Sequence, residues 1–255
     1  MKKTLFLDAG NTRVKSAAED SSRWSVHPLP EYDAPDFDSF LRKHALHYDR
    51  IVLSSVKKRF QKEDLERLLS VDDAPSMPEI LAITRSVLTP ERHRYRTPET
   101  LGIDRYLACL GAWSLGSGSV IVSDAGTACT IDVMDAGGIY RGGVIMPGLH
   151  MLIVTLGRGA DGLFPVSAGL PASWPPDSTA TALQAGTAGT FLAAWEAHVQ
   201  RTRQLFPEAR IWLTGGDAAF LAENSSLDVL RNDCLVFEGM RHWLETMQQE
   251  GGGEA

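Results

Sequence analysis

Two stretches decide the reading: Thr4-Leu5-Phe6-Leu7-Asp8-Ala9-Gly10-Asn11-Thr12 near the start, and Val120-Ile121-Val122-Ser123-Asp124-Ala125-Gly126-Thr127 in the middle. In each, strand-forming apolar residues run into an Asp-Ala-Gly turn. More strand follows both turns. After the first it covers Arg13–Ala18 and the region of Trp24–His27. After the second it covers Thr130–Met134 and Ile139–Ile145, with Gly137-Gly138 as the hairpin turn between them. One such tripeptide is common by chance, but its recurrence in the same strand–turn–strand setting marks an internal duplication.

Working outward, strands alternate with helices. The first half carries a helix over Asp38–His47, a strand over Arg50–Ser54, a helix over Gln61–Leu69, a strand over Glu79–Thr84 and a helix over Asp104–Leu115. In the second half, Met151–Leu156 reads as strand and Thr179–Leu205 as one long helix. Arg210–Leu213 is a strand, Thr214-Gly215-Gly216-Asp217 a turn into another helix, and Leu235–Gln249 the closing helix. The alternation predicts an α/β fold with a mostly parallel core sheet. The boundary falls near Gly118, giving domains 1–117 and 118–255. Four of the thirteen prolines lie between Pro165 and Ser178, which predicts a loop of the kind that serves as a lid or interface arm.

Composition limits what such a chain does. Its 255 residues are 44% hydrophobic and 22% charged, the ordinary globular mix, so disordered, collagen-like and coiled-coil readings fail. The net charge of −7 argues against nucleic acid as a partner, because phosphate neutralisation drives that binding. Cys109, Cys129 and Cys234 are odd in number and widely spaced, so neither a disulfide framework nor a zinc site is expected. Asp8 ends the apolar run behind Lys2 and Lys3 too early for a signal peptide. Pro147 and His150 break the apolar stretch Val144–Leu156, so no membrane span is expected there. The expectation is a soluble, cytoplasmic protein.

The turns carry the first chemistry. Small residues after a strand let backbone N–H groups approach an anion closely. Asp8 at the strand end suits a hydrated Mg²⁺, and Lys15 beyond the turn suits a phosphate. The plain alternative is a tight turn with an Asx cap. The second copy and the Gly215-Gly216 turn favour phosphate. No GxxxxGK[ST] is present. Gly157-Arg158-Gly159-Ala160-Asp161-Gly162 matches GxGxxG, yet Pro165 follows where a dinucleotide-binding helix would be in its first turns. Arg92-His93-Arg94-Tyr95-Arg96 reads as a solvated basic loop. Beyond it, Pro98 and Gly102 fix a turn, and Asp104-Arg105 open a helix. There Asp104 either complements the helix dipole or faces a substrate hydroxyl, with Arg105 clamping a carboxylate.

Five blocks in order, DAGNTRVK at 8–15, PETLGIDR at 98–105, SDAGTACTIDV at 123–133, GGVIMPGL at 142–149 and TGGD at 214–217, resemble the type III pantothenate kinases. These belong to the acetate/sugar kinase, Hsp70 and actin superfamily. The resemblance implies two duplicated actin-like, ribonuclease H-like domains with an interdomain ATP cleft. It implies that ATP and Mg²⁺ are held by Asp8, Gly10, Asn11, Thr12 and Lys15. Gly126, Thr127, Gly215 and Gly216 act from the second half, with Asp124 on a monovalent cation, K⁺ or NH₄⁺. Asp104 becomes the general base, and Tyr95, Gly102, Ile103, Arg105 and Thr179 line the pantothenate site, with Thr181 an open alternative to Thr179. A homodimer is implied, with the block at 142–149 near its interface. The chain departs from the family at Ser178-Thr179, where an Asn-Thr pair is common, and in the glycine-rich 156–161 stretch. Two rival readings stay open: a kinase or phosphatase for another hydroxy acid, and a regulatory protein without turnover.

Overall fold

The structure is a computed structural model and describes residues 2–10, 12–20, 23–58, 60–70, 77–116, 118–159 and 161–251. The chain divides into two compact units, Met1–Leu115 with Cys234–Ala255, and Gly116–Asp233.

In the first unit, β1 (Thr4–Ala9), β2 (Arg13–Asp20) and β3 (Arg23–Glu31) form an antiparallel meander. β4 (Arg50–Ser55) and β5 (Glu79–Ile83) then add in parallel, giving the order β3-β2-β1-β4-β5. Strand alternation sends Leu5, Leu7, Ile51 and Leu53 to one face. There they pack under α1 (Phe37–Ala45) and α2 (Lys62–Leu69) through Phe37, Leu41, Leu65 and Leu69. Phe6 points to the opposite face, where its ring meets Trp24 edge-on and Trp24 in turn meets Phe237. Phe237 lies on α8 (Leu235–Gly251), which packs along α3 (Ile103–Ser114). Asp8 is two residues beyond Phe6 and so shares the face covered by α3 and α8.

The helix pair α3–α8 explains why the last helix joins the first unit, where the sequence reading placed it in the second. Gly111 and Gly239 face each other at the crossing. A β-carbon on Gly111 would strike the Leu235 carbonyl, and one on Gly239 would strike the Leu107 carbonyl.

The second unit repeats the plan. β6 (Val120–Ala125), β7 (Ala128–Met134) and β8 (Tyr140–Pro147) form the meander, and β9 (Arg210–Thr214) and β10 (Leu230–Arg231) extend it in parallel, in the order β8-β7-β6-β9-β10. Its core gathers Ile121, Ile131, Phe191, Trp195 and Leu213. The buried Trp195 indole donates to Ser123 Oγ at 2.8 Å and ties the long helix to β6.

Two expectations change here. Met151–Leu156 is not strand but the middle of α4 (Leu149–Gly159), since a short apolar run fits a helix as well as a strand. Near its end Gly157 lies against the backbone of Phe164 and Pro165, where a β-carbon would strike it. Thr179–Leu205 is helical throughout but interrupted: α5 (Thr179–Gln184) passes through a π-turn at Ala185–Gly189 into α6 (Thr190–Leu205). α7 (Ala218–Asn224) follows the TGGD turn. Among the described residues, no helix is long and apolar enough to cross a membrane.

Candidate active site

The first Asp-Ala-Gly turn closes between β1 and β2. Ala9 pairs with Val14, and the Gly10 N–H donates to the Arg13 carbonyl at 3.1 Å. The Ala9 carbonyl accepts from the Val56 N–H at 3.1 Å, and the Gly10 carbonyl accepts from the Tyr32 hydroxyl at 3.0 Å. Asp8 is half-buried and sits opposite Lys15 on β2, so the two side chains leave the same face, with Lys15 exposed. Thr12 is exposed, and Asn11 lies outside the described residues. Opposite Asp8 on β4 stands Ser54, fully buried, whose Oγ has no hydrogen-bond partner among the described residues.

The helix N-terminus at residue 103 belongs to the same unit and packs on the same sheet face. Arg85 Nε donates to the Leu101 carbonyl at 2.8 Å and fixes the approach to the helix. Gly102 precedes the first turn of α3, and a β-carbon there would lie 2.5 Å from Asp104 Oδ1. Glycine at 102 thus leaves the space into which the Asp104 carboxylate folds. That carboxylate accepts from the Arg105 N–H at 2.9 Å and stays half-buried. Ile103 and Arg105 are buried. At the carboxyl ends of β4 and β5, Leu53, Ser55, Gln61, Thr84, Arg85 and Ile103 surround a cavity of about 70 Å³. Strand carboxyl ends are where open α/β sheets bind ligands. Tyr95 is half-buried, its N–H donating to His93 Nδ1 at 3.0 Å. The basic stretch is therefore not wholly solvated, because His93 is buried and anchors it.

In the second unit, the turn is one residue shorter. Ala125 pairs with Cys129, and the Gly126 N–H donates to the Ala128 carbonyl at 3.2 Å. The Ala125 carbonyl accepts from the Asp217 N–H at 2.9 Å, the counterpart of the Ala9–Val56 bond. Gly215 has φ +93°, and a β-carbon there would stand 2.5 Å from Asp124 Oδ1 and 2.6 Å from the Ala125 carbonyl oxygen. Asp124, Gly126, Thr127, Gly215 and Gly216 are thus brought together. Gly148 also lies on the Gly126 and Thr127 carbonyls, a role for the Pro147-Gly148 pair that the sequence reading missed. Burial, with Asp124, Asp217 and Asp132 nearby, pushes the Cys129 thiol up to about 12, which leaves it an inert packing group. Burial raises the Asp217 carboxyl, and His150 opposes it.

Thr179 is exposed at the start of α5, in the second unit. Ser178 caps that helix: its Oγ accepts from the Thr181 N–H at 3.3 Å, and Thr181 Oγ1 accepts from the Ser178 N–H at 3.1 Å. Serine does here what asparagine does as a cap.

Both units, with their matching strand order and paired turns, define an α/β protein of two like-folded units. Of the solved structures, a Campylobacter jejuni protein assigned to the Baf family of transcriptional activators superposes with a TM-score of 0.61 at 23% identity, covering 96% of this chain and 99% of that one. A Sinorhizobium meliloti protein assigned as a 2-dehydro-3-deoxygalactonokinase superposes at 0.53 with 14% identity, covering 96% and 99%. At that identity they speak for the fold alone. Residues 4–201 match the type III pantothenate kinase family. Type III pantothenate kinases of Laribacter hongkongensis and a Janthinobacterium species are 35% and 32% identical, over 93% and 92% of this chain and 97% and 95% of theirs. The chain belongs to the type III pantothenate kinase family.

Proposed function

We propose that this chain transfers the γ-phosphoryl group of ATP to the primary hydroxyl of pantothenate, giving 4′-phosphopantothenate and ADP, the first step of coenzyme A biosynthesis. The observation that carries the reading is the family match over residues 4–201, which takes in the first turn, the Gly102–Arg105 corner and the second Asp-Ala-Gly turn. Asp104 accepts the hydroxyl proton as the oxygen attacks the γ-phosphorus and the bond to the β-phosphate oxygen breaks. Arg105 holds the substrate carboxylate, and Gly102, Ile103 and Tyr95 line the acceptor site. Thr179 is the better partner for pantothenate, because the hydroxyl of Thr181 is committed to the helix cap.

Gly10, Asn11, Thr12 and Lys15 serve the ATP phosphates from the first turn, and Gly126, Thr127, Gly215 and Gly216 serve ATP from the second. Mg²⁺ suits Asp8, whose half-buried carboxylate leaves the sheet beside Ser54, its register partner on β4. One carboxylate with phosphates and water is this ion's usual company. The ion, when bound, neutralises phosphate charge. A monovalent cation suits Asp124, where a carboxylate and the Ala125 carbonyl crowd the bare α-carbon of Gly215. A homodimer is part of the proposal.

Purified protein given ATP, Mg²⁺ and pantothenate, with and without K⁺, tests this by mass spectrometry of the product. Phosphopantothenate formed only with K⁺ is the expected result. Folded protein that binds ATP yet phosphorylates nothing in either buffer would overturn it, and activity confined to another hydroxy acid would reassign the substrate.

A further inference from the structure

We infer that Tyr32 is a positioning residue for the first phosphate turn, with Lys57 as the cation that holds its ring in place; this rests on the reading of that turn as an ATP site. Tyr32 directly follows β3, and its hydroxyl donates to the Gly10 carbonyl at 3.0 Å. The ring is gripped from several sides. Lys57 Nζ lies 4.1 Å from its centroid, and the Phe37 and Phe60 rings stand 5.5 and 5.9 Å away. Val56, the neighbour of Lys57, donates its N–H to the Ala9 carbonyl at 3.1 Å. Two successive carbonyls of the turn are therefore taken by donors that lie outside it.

The second unit does this differently. Its Ala125 carbonyl is taken in the same way by Asp217, but the Gly126 carbonyl packs on the α-carbon of Gly148. Tyr32 is a device of the first turn.

The physical need is electrostatic. A peptide carbonyl left loose in an anion-binding turn can swing its negative end toward the phosphates, and a buried dipole so placed repels them. Bonding Gly10 oxygen to a phenol commits that end elsewhere. Burial and the neighbouring Asp8 carboxylate both push the Tyr32 hydroxyl above its ordinary pKa, so it remains a donor throughout the physiological range. Lys57 is half-buried, with its ammonium over the ring whose hydroxyl reaches the turn.

Tyr32→Phe keeps the ring and its neighbours while removing only the donor. Calorimetry of MgATP binding and steady-state kinetics decide the matter. The variant is expected to raise both Kd and KM for ATP about three- to tenfold, with KM for pantothenate unchanged and Tm lowered by no more than the few degrees that one lost hydrogen bond costs. Lys57→Gln is expected to shift ATP alone by about two- to fivefold. ATP affinity within about twofold of the natural protein in Tyr32→Phe would overturn the inference. So would a rise in KM for pantothenate as large as that for ATP. If the natural protein binds MgATP but leaves pantothenate untouched, the functional reading falls and the Kd comparison still decides Tyr32. If it binds no MgATP, both fall.

Discussion

Gly102 and Asp104 form one unit of chemistry, because the carboxylate occupies the volume that any side chain at 102 would claim. Asp104→Asn preserves that fit, since the amide oxygen can still accept the Arg105 N–H. What it removes is a group able to take a proton. Turnover should fall about 10²- to 10⁴-fold while Kd for ATP stays put, read by product formation and calorimetry. Near-normal kcat would show that Asp104 is not the base. What singled these residues out was the resemblance carried by the block at 98–105; the residues alone left Asp104 open between a partner for the helix dipole and a group facing a substrate hydroxyl. Tyr32, Lys57 and Ser54 were not singled out. Each meets the first turn across a loop or a strand pairing, and nothing local in Glu31-Tyr32-Asp33 or Val56-Lys57-Lys58 marks such a contact.

At the level of elements, the sequence carried the duplicated meanders because apolar alternation, turn glycines and strand length agree at both copies. It misread Met151–Leu156, where six residues are too few to separate two periods. It also gave no sign of the π-turn, within which the buried Thr187 hydroxyl bonds back to the Leu183 carbonyl at 2.7 Å. The pairing of α3 with α8 was equally silent, since Gly111 and Gly239 are single glycines in helices far apart in sequence. Yet that crossing sets where the helix bearing Asp104 lies. Gly111→Ala or Gly239→Ala drives a methyl into the facing helix backbone, which cannot yield as a side chain would. Either change should cost about 2 kcal/mol or more and lower Tm by about 4–8 °C. Calorimetry that found either variant as stable as the natural protein would mean the helices do not cross so closely.

For the whole molecule, the question is what covers the apolar residues that folding leaves outside. The second unit exposes Ile145 at 62% on the edge strand β8, Met151 and Leu156 on α4, and Phe164, Leu170 and Trp174 (81%) on the segment that follows. An edge strand with an outward isoleucine invites pairing unless another surface meets it, and large exposed apolar side chains near one another mark interfaces. A chain of net charge −7 gains nothing by meeting an acidic copy of itself through charged faces, so the proposed homodimer would form through this apolar face. Light scattering should therefore report twice the 27.8 kDa chain mass. Ile145→Asp should weaken association roughly a hundredfold or more, because a carboxylate would be buried unpaired on both sides of a symmetric interface. The substitution lies at an exposed position, so the fold of each copy should survive it, and far-UV circular dichroism checks that. A natural protein that remains monomeric at micromolar concentration, or an Ile145→Asp variant that dimerises as tightly, would place the interface elsewhere.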